Sequence, residues 1–267
     1  MMLAGPPQMA EIKPQKYKDD RPFSYFVKFH ERARADKQGG WVYNLARVIL
    51  TLPTVLIFRT RAIGTENVPD SGPVLLAPNH FSQMDHFFCA VYLRRKVRYM
   101  AKSQLFGPPV ITFIIHRGGA YPVRRGHADE EAFRTSFAIL DQGHPLLVYA
   151  EGGRSRSRSL GTPRRGIGRI ALESGVPVVP VAIHGSERVR KWRKLRFPKV
   201  TIQYGEPISF PAQAKPSREQ QIEASQEIFD RVRAMYMALE ENGRSGVIRS
   251  LRGGLPSPAP GETSPRA

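Results

Sequence analysis

Short apolar segments alternate with helical ones from about residue 62 onward, and this alternation limits the possible fold more than any other feature. Apolar runs bounded by turn residues predict strands at Val74–Pro78, Arg98–Lys102, 120–124, 145–150, 176–184 and 200–205. Helical periodicity predicts helices over residues 81–94, 128–142, 167–174 and 217–242. Strands interleaved with helices predict an α/β domain with a mixed, partly parallel sheet flanked by helices.

The chain divides into four segments by composition. Its 267 residues are enough for one large domain with its own core. We expect a disordered tail at 1–20, amphipathic, membrane-associating helices at 21–61 and a single α/β domain at 62–242. Residues 243–267, rich in Gly, Pro and Ser, are expected to form a second disordered tail.

The N-terminal apolar segment is too short to span a bilayer. Its longest uncharged run, residues 48–58, has 11 residues, whereas a spanning helix needs about 20. We therefore expect no ordinary transmembrane helix. The segment could lie in the membrane interface, flanked by Arg59 and Arg61, or dock on the core as an amphipathic helix. The polar, proline-containing first 18 residues do not resemble a secretory signal.

The chain is strongly basic. Its net charge is +18, and residues 1–40 and 243–267 contribute +3 each, which leaves +12 on the folded part. Such a charge suits a nucleic acid, an anionic membrane surface or a phosphorylated substrate, although it could also serve solubility alone. The basic run at residues 188–199 is suited to a membrane surface or is a solvated loop. A single cysteine, Cys89, excludes an internal disulfide and multi-cysteine metal sites, and its apolar neighbours predict a buried thiol.

A histidine and an aspartate stand five residues apart where a buried strand gives way to a helix. In Asn79-His80-Phe81-Ser82-Gln83-Met84-Asp85, the carboxylate of Asp85 can bend back and orient the imidazole of His80 as a general base. The same residues also fit a plain helix start, with Ser82 as N-cap and Asp85 in the first turn.

A second candidate is the glycine- and arginine-rich turn after the strand at 145–150. It begins Glu151-Gly152-Gly153-Arg154-Ser155, and six arginines with no acidic residue lie between Arg154 and Arg169. Glycine allows close approach of the backbone to an anion, and arginine binds phosphate through paired donors. A solvated basic loop or an arginine/serine RNA-binding peptide are the alternatives.

Four blocks of the sequence resemble, in order and spacing, the motifs of the glycerolipid acyltransferase family, to which bacterial 1-acyl-glycerol-3-phosphate acyltransferases belong. They are N-H-x-S-x-x-D at Asn79, His80, Ser82 and Asp85; G-x-[IFY]-[PF]-[VI]-x-R at Gly119, Tyr121, Pro122, Val123 and Arg125; E-G-[TG]-R-S at residues 151–155; and V-P-[IV]-[VI]-P-V at residues 176–181. Gln104 replaces the glutamate of a block that begins at Lys102, and Gly153 replaces the commoner threonine. The resemblance covers roughly residues 60–210.

The resemblance implies a role for each motif residue. His80 would be the general base and Asp85 its orienting partner, while Arg125 and Arg154 would hold the phosphate of the acceptor. The remaining residues implied are Glu151, Gly152, Gly153, Ser155 and Lys102 in the substrate site, Pro180 beside the acyl donor, and Asn79 and Ser82 as residues that shape the first motif. No metal or other cofactor is implied, since an acyl thioester is already activated.

The resemblance also implies an O-acyltransferase that uses acyl-coenzyme A or acyl-carrier protein and converts 1-acyl-glycerol 3-phosphate into phosphatidic acid at its sn-2 hydroxyl. Glycerol 3-phosphate, another lysophospholipid or a glycolipid remain alternative acceptors. We expect a peripheral or monotopic location at the cytoplasmic face of the cell membrane, contact with an anionic membrane surface, and no nucleic acid partner. A basic nucleic-acid-binding protein is the distant alternative, and a serine hydrolase is disfavoured because no G-x-S-x-G elbow is present.

Overall fold

The apolar segments of this chain pair in one sheet, with one short strand that the sequence did not predict. The computed structural model describes residues 19–38, 40–124, 129–155, 159–189 and 197–253. Its strands are β1 (Arg61–Ile63), β2 (Val74–Pro78), β3 (Arg98–Lys102), β4 (Ala120–Val123), β5 (Pro145–Leu147), β6 (Val178–His184) and β7 (Thr201–Tyr204). The unpredicted strand is β1, which at three residues is too short to carry a periodic signal.

Helices account for most of the remaining described residues. They are α1 (Ser24–Arg34), α2 (Trp41–Leu56), α3 (Asp85–Val91), α4 (Pro109–Arg117), α5 (Glu130–Asp141), α6 (Arg165–Ser174) and α7 (Arg218–Gly253). A 3-10 turn at Thr65–Asn67 lies between β1 and β2, and another at Ser103–Phe106 lies between β3 and α4.

The sheet is mixed and mostly parallel, as predicted. Its strand order is β1-β7-β6-β2-β5-β3-β4, and each neighbouring pair is parallel except β6 and β7. Strands β2 to β6 therefore share one direction, and β7 and β1 run the opposite way. One edge of the sheet, here called the upper edge, thus collects the carboxyl ends of β2 to β6 and the amino ends of β7 and β1.

The central strand β2 is buried along its whole length and forms two cores, one on each face of the sheet. Val74 and Leu76 pack on one face among side chains of α3, and Leu75 and Ala77 pack on the other face among side chains of α5, α6 and α7. Alternate residues of a strand point to opposite faces, so a strand covered on both sides must be apolar throughout. This is the pattern that made β2 predictable from the sequence.

The two N-terminal helices dock on the domain through one face each. On α1, Phe26 and Phe29 are buried against Phe106 and Ala120. On α2, the Tyr43 hydroxyl accepts a hydrogen bond of 3.0 Å from the backbone N–H of Val97. The outer face of α2 is exposed and apolar, and consists of Trp41, Leu45, Val48, Ile49, Leu52 and Leu56. One face of α2 is therefore docked on the core, and its opposite, exposed apolar face is the one to which the interfacial interpretation applies.

No helix in the described part of the chain is long and apolar enough to cross a membrane.

Two helices differ from the sequence predictions. Helix α4 is absent from the predicted helices; it begins at Pro109, because proline fits the first helical turn, where no N–H partner is needed. Helix α7 continues past residue 242 to Gly253, where a tail was expected from residue 243. It kinks at Gly243 (φ 63°), and Val247 beyond the kink packs beside Leu239.

Close packing of α6 on α7 gives a test of this architecture. A Cβ atom on Gly168 would lie 2.1 Å from the Gln221 carbonyl oxygen, whereas one on Gly166 would lie 3.5 Å from the Phe133 ring. We expect Gly168→Ala to lower the free energy of unfolding by about 1–3 kcal/mol. Gly166→Ala, in the same helix, should be neutral or raise it by up to about 1 kcal/mol. Guanidinium unfolding of both variants measures the difference, and equal effects would contradict this packing.

Candidate active site

The upper edge of the sheet brings several sequence motifs together. The residues after β2 (Asn79 and His80), after β5 (from Val148 to Arg154) and at the end of β3 (Lys102) all lie there. Ligands of open α/β sheets bind outside the carboxyl ends of parallel strands. The structure thus places the first motif between β5, which the third motif follows, and β6, which contains part of the fourth, whereas the second motif lies on β4 at the end of the sheet.

Asp85 is fully buried and organises the loop between β2 and α3. Its Oδ2 atom accepts hydrogen bonds from the backbone N–H groups of Phe81 and Ser82, each at 2.7 Å, and lies 2.9 Å from Nδ1 of His80. One carboxylate oxygen therefore fixes both the turn and the imidazole. The close approach of His80 and Asp85 expected from the sequence is present.

Ser82 does not act as the N-cap that the helix-start interpretation suggests. Helix α3 begins at Asp85, its N-cap position is Met84, and no side chain caps it. The Ser82 hydroxyl instead accepts a bond of 3.2 Å from the backbone N–H of Met84. The two residues between Ser82 and the helix form a turn that Asp85 closes, so the helix starts later than position 81.

Asn79 joins the site to the neighbouring strand. Its side-chain amide donates to the carbonyl of Ile183 at 3.1 Å and accepts from the N–H of Ile183 at 2.7 Å. The amide is fully buried, so the paired bonds satisfy it. Asn79 thus continues the pairing of β2 with β6 by one residue and fixes the position from which His80 projects.

Glu151 supports the backbone of His80 from the other side. Its Oε1 accepts the backbone N–H of His80 at 2.9 Å, and its Oε2 accepts the N–H of Gly161 at 2.8 Å. The carboxyl group is 1% exposed. Burial raises its pKa to about 7, although the two hydrogen bonds partly oppose this shift. Glu151 therefore positions the histidine backbone, a role that the sequence did not indicate.

The glycine turn after Glu151 closes back on the same loop. Gly152 has φ of 64°, a left-handed conformation that glycine adopts without strain. Gly153 is buried, and the backbone N–H of Ser155 then donates to the carbonyl of His80 at 2.8 Å. The first and third motifs are thus joined by hydrogen bonds on both sides of the His80 peptide.

Tyr149 is a site residue that the sequence analysis missed. Its ring stacks on the imidazole of His80, with centroids 3.6 Å apart and planes at 14°. Its hydroxyl is buried, and no hydrogen-bond partner for it lies in the described residues. Burial raises the pKa of this hydroxyl well above its ordinary range, so the ring is neutral. The only sequence signal was an aromatic residue two positions before Glu151.

The remaining predicted site residues are distributed as follows. Arg154 is half-buried, and its positive charge acts on the Tyr149 hydroxyl. Lys102 ends β3, two strands from β2. Arg125 lies outside the described residues, as do residues 190–196 of the basic run. Pro180 is buried on the face covered by α7, where its ring occupies the space beside Gly205 together with Met235.

Other chemistries find little support in this region. Cys89 is fully buried in α3, and burial raises the pKa of its thiol well above the ordinary range, which makes it a poor nucleophile. Among the described residues, no three His, Cys, Asp or Glu side chains cluster in a way that could hold a metal ion.

Known proteins similar to this chain share its central region. A family model described as "Acyltransferase" matches residues 59–184. The chain is 26% identical over 148 residues to the chloroplastic 1-acyl-sn-glycerol-3-phosphate acyltransferase BAT2 of Brassica napus, which covers 54% of this chain and 43% of that protein. It is 26% identical over 201 residues to a glycerol-3-phosphate acyltransferase of Ectopseudomonas mendocina, covering 59% of this chain and 24% of that protein.

The chain therefore spans less than half the length of these curated relatives. Among solved structures, it is similar to the 1-acyl-sn-glycerophosphate acyltransferase PlsC of Thermotoga maritima, with a TM-score of 0.56 and 21% identity, covering 81% of this chain and 94% of that one. This likeness supports the fold described above.

The buried Glu151 carboxyl makes stability depend on pH. The folded protein holds the Glu151 proton up to about pH 7, whereas a carboxyl at the ordinary value of 4.5 loses it much earlier, so the folded state loses stability as pH rises between these values. Glu151→Gln removes this dependence. We expect the unfolding free energy of wild type minus that of the variant to fall by about 1–3 kcal/mol from about pH 5 to pH 8.

Chemical unfolding at several pH values measures this difference. Glu241→Gln, which removes an exposed glutamate of α7, is the control for the loss of one carboxyl group. A difference that stays flat or rises with pH would show that Glu151 is ionised in the folded protein throughout this range.

Proposed function

Because a model of the acyltransferase family matches residues 59–184, we propose that this chain transfers an acyl group from a thioester donor to a hydroxyl group of a phosphate-bearing glycerolipid. The observation that carries this proposal is the His80–Asp85 pair, held at 2.9 Å on the upper edge of the sheet. A base that removes a hydroxyl proton needs a fixed ring, a fixed tautomer and a counter-charge. The loop after β2 supplies all three.

The hydrogen-bond pattern assigns the proton-accepting atom. Asp85 has only acceptor oxygens when ionised, so the nitrogen facing it, Nδ1 of His80, carries hydrogen. Nε2 then has the lone pair that takes the proton of the acceptor hydroxyl. As that proton leaves, the hydroxyl oxygen forms a bond to the thioester carbon and gives a tetrahedral oxyanion. Collapse of the oxyanion breaks the carbon–sulfur bond, and the imidazolium returns its proton to the thiolate.

The surroundings of His80 suit this cycle. Asp85 stabilises the imidazolium when it forms, and the neutral face of Tyr149, 3.6 Å away, attracts a cationic ring. Glu151 and Ser155 hold the His80 peptide from both sides, so the ring has one orientation. Preorganisation of this kind contributes to the rate because it leaves little to rearrange at the moment of transfer.

The acceptor's phosphate is proposed to bind beside this base. Arg154 follows the glycine turn directly, and Lys102 ends a neighbouring strand at the same edge. Arg125 has the position in the sequence to join them. Guanidinium and ammonium groups bind phosphate through charge-assisted hydrogen bonds. We propose that Arg154 contributes to acceptor affinity, and that Glu151 acts through the His80 backbone.

The proposed acceptor is 1-acyl-glycerol 3-phosphate, with phosphatidic acid as product. A narrow apolar slot of about 70 Å³ lies between α2, α3 and α4, lined by Leu50, Phe87 and Tyr99 among others. His86 lines it too, and burial lowers the pKa of this histidine to about 4, so it is neutral there. Since His86 adjoins Asp85, a hydrocarbon chain in the slot would end close to His80. Glycerol 3-phosphate is the second candidate, because the relatives include acyltransferases of both names.

We also propose that the protein binds a membrane surface peripherally, at the cytoplasmic face of the cell membrane. Seven apolar side chains of α2 are exposed, since Val55 joins the six named above, and the neighbouring α4 exposes Val110, Ile111, Phe113 and Ile114. Exposed apolar patches of this extent mark interaction surfaces. An interfacial location would bring the opening of the apolar slot to its lipid substrates.

Removal of the proposed base tests the mechanism. His80→Ala and Asp85→Asn should each lower kcat for acyl transfer to 1-acyl-glycerol 3-phosphate by about 10²- to 10⁴-fold, because the base is lost or its tautomer is no longer fixed. His144→Gln, which alters a histidine that pairs with Asp36 away from the upper edge, is the control and should keep full activity.

The assay uses purified protein in detergent with acyl-coenzyme A and acyl-carrier protein as donors, and with glycerol 3-phosphate as the second acceptor. Circular dichroism verifies that the variants fold. Wild-type turnover of neither acceptor, or full activity of His80→Ala, would refute the proposed function.

Charge on the apolar face of α2 tests the membrane proposal. Leu52, which is 65% exposed, and Val48 lie on that face. We expect Val48→Glu with Leu52→Glu to reduce binding to anionic phospholipid vesicles at least about tenfold. The two apolar side chains, which are exposed in the free protein and would be buried in the membrane, are then replaced by charges. Ile222→Glu, at an exposed apolar position of α7, is the matched control. If the double variant and the Ile222→Glu control bind vesicles equally in a sedimentation assay, the membrane contact lies elsewhere.

A further inference from the structure

A second, strongly basic cleft lies at the upper edge of the sheet, on the other side of β6 from His80. It has a volume of about 1170 Å³, and its lining includes Arg59, Arg61, Arg188, Lys199 and Arg244. No carboxylate belongs to the lining that the structure describes. We refer to these five residues and the space between them as the basic cleft.

The strand register fixes where the basic cleft lies relative to the site. His184, at the carboxyl end of β6, pairs with Thr201, which in turn pairs with Arg61 at the start of β1. Asn79, the residue before His80, is hydrogen-bonded to Ile183. The basic cleft and His80 therefore share one edge, three strand spacings or about 15 Å apart.

Two of the arginines that define the basic cleft, Arg244 and Arg59, are held by neutral groups. The guanidinium of Arg244 donates to the Thr201 hydroxyl at 2.9 Å and to the backbone carbonyls of Val200 and Arg59 at 2.7 and 3.0 Å. That of Arg59 donates to the carbonyl of Phe197 at 2.7 Å. These bonds fix the side chains without cancelling their charge, which leaves a preformed site for an anion.

Two nearby carboxylates neutralise at most one of the five cations of the basic cleft, Arg188. Glu187 pairs with Arg188 at 3.0 Å, and Glu240 pairs with His184 at 2.7 Å. Neither is bonded to Arg59, Arg61 or Arg244 among the contacts that the described residues make. The cleft therefore keeps a positive field at its centre.

The basic cleft contains two energetically unfavourable features, cations close to one another and a left-handed backbone conformation at Arg59. Burial, together with the positive charges of Arg61 and Arg59, lowers the pKa of Arg244. Arg59 has φ of 43°, a left-handed conformation that a non-glycine residue rarely adopts. This backbone aims the Arg59 carbonyl at Arg244 while its side chain reaches Phe197. A bound polyanion would relieve the repulsion among the cations.

We propose that the basic cleft binds the phosphate groups of coenzyme A in the acyl donor, an inference that rests on the proposed function. The diphosphate and 3′-phosphate of coenzyme A match several fixed guanidinium groups. The volume is that of a nucleotide-sized ligand rather than a lone phosphate. The pantetheine arm, as long as an extended peptide of four to five residues or roughly 15 Å, spans the distance to His80.

Equilibrium binding of coenzyme A to the full chain in detergent tests this assignment directly. Arg61→Gln combined with Lys199→Gln should raise the Kd for coenzyme A at least about tenfold, as expected for the loss of two charge-assisted contacts. 3′-Dephospho-coenzyme A should bind wild type more weakly. Arg134→Gln, at an exposed position of α5, is the matched control and should bind coenzyme A as wild type does. Equal Kd values for all three proteins would overturn the proposal.

Kinetics separate the possible sources of phosphate. The double variant should raise the KM for acyl-coenzyme A while it leaves kcat, the KM for 1-acyl-glycerol 3-phosphate and the use of an acyl-N-acetylcysteamine thioester unchanged. A raised KM for the acceptor, or weaker binding to anionic vesicles, would assign the cleft to lipid headgroups. A raised KM for acyl-carrier protein alone would assign it to that protein. Each of these results would overturn the coenzyme A assignment.

The inference and the proposed function can fail separately. His80→Ala should bind coenzyme A as tightly as wild type although it no longer transfers acyl groups. If wild type transfers no acyl group, but binds coenzyme A in a way that the double variant weakens, the cleft assignment stands and the function fails. If transfer from acyl-coenzyme A proceeds with the same KM in the double variant, the function stands and the assignment fails.

Discussion

The structure of the site depends on the buried carboxylate of Asp85. An ionised carboxyl group without contact with water is unfavourable unless donors surround it. Here two backbone N–H groups and an imidazole point at one of its oxygens. Those N–H groups belong to the turn after β2, so the bonds that stabilise the charge also shape the turn. Since α3 starts at Asp85 and covers one face of the sheet, the same residue connects the catalytic geometry to the core.

A second constraint is that the His80 peptide is held on both sides by the segment after β5. Its N–H donates to Glu151 and its carbonyl accepts from Ser155. Side-chain and backbone contacts therefore make the first and third motifs one assembly, and Asn79 adds β6 to it. A displacement of β5 relative to β2 would move the imidazole. In the proposed mechanism the sheet register matters directly, because hydrogen bonds across neighbouring strands set the position of the His80 imidazole.

The sequence predicted those features of the fold and site that are set by residues close together in the chain, and missed those set by contacts between distant residues. β2 and β3 were predicted with their observed bounds, β2 because a buried parallel strand is a continuous apolar run, and the His80–Asp85 contact follows from a short loop. The role of Glu151 could not be predicted, since its partner lies 71 residues away and only the fold brings them together. The stacking of Tyr149 was missed for the same reason. The sequence showed that the folded part is basic, but not that five of its cations line one cleft, because the antiparallel pairing of β7 with β6 brings them together.

The order of strands also arranges the chemistry along the upper edge. His80 follows the central strand, with Arg154 and Lys102 towards β5 and β3, the basic cleft towards β7 and β1, and the apolar slot behind α3. An acyl-coenzyme A molecule has a hydrocarbon chain at one end, phosphates at the other and the thioester between them. If its phosphates bind the cleft, the pantetheine arm reaches His80 and places the thioester carbon near the imidazole. The acceptor phosphate then has to approach from the opposite side, where Arg154 stands. Two polyanionic substrates are thereby kept apart while their reacting groups meet at one histidine.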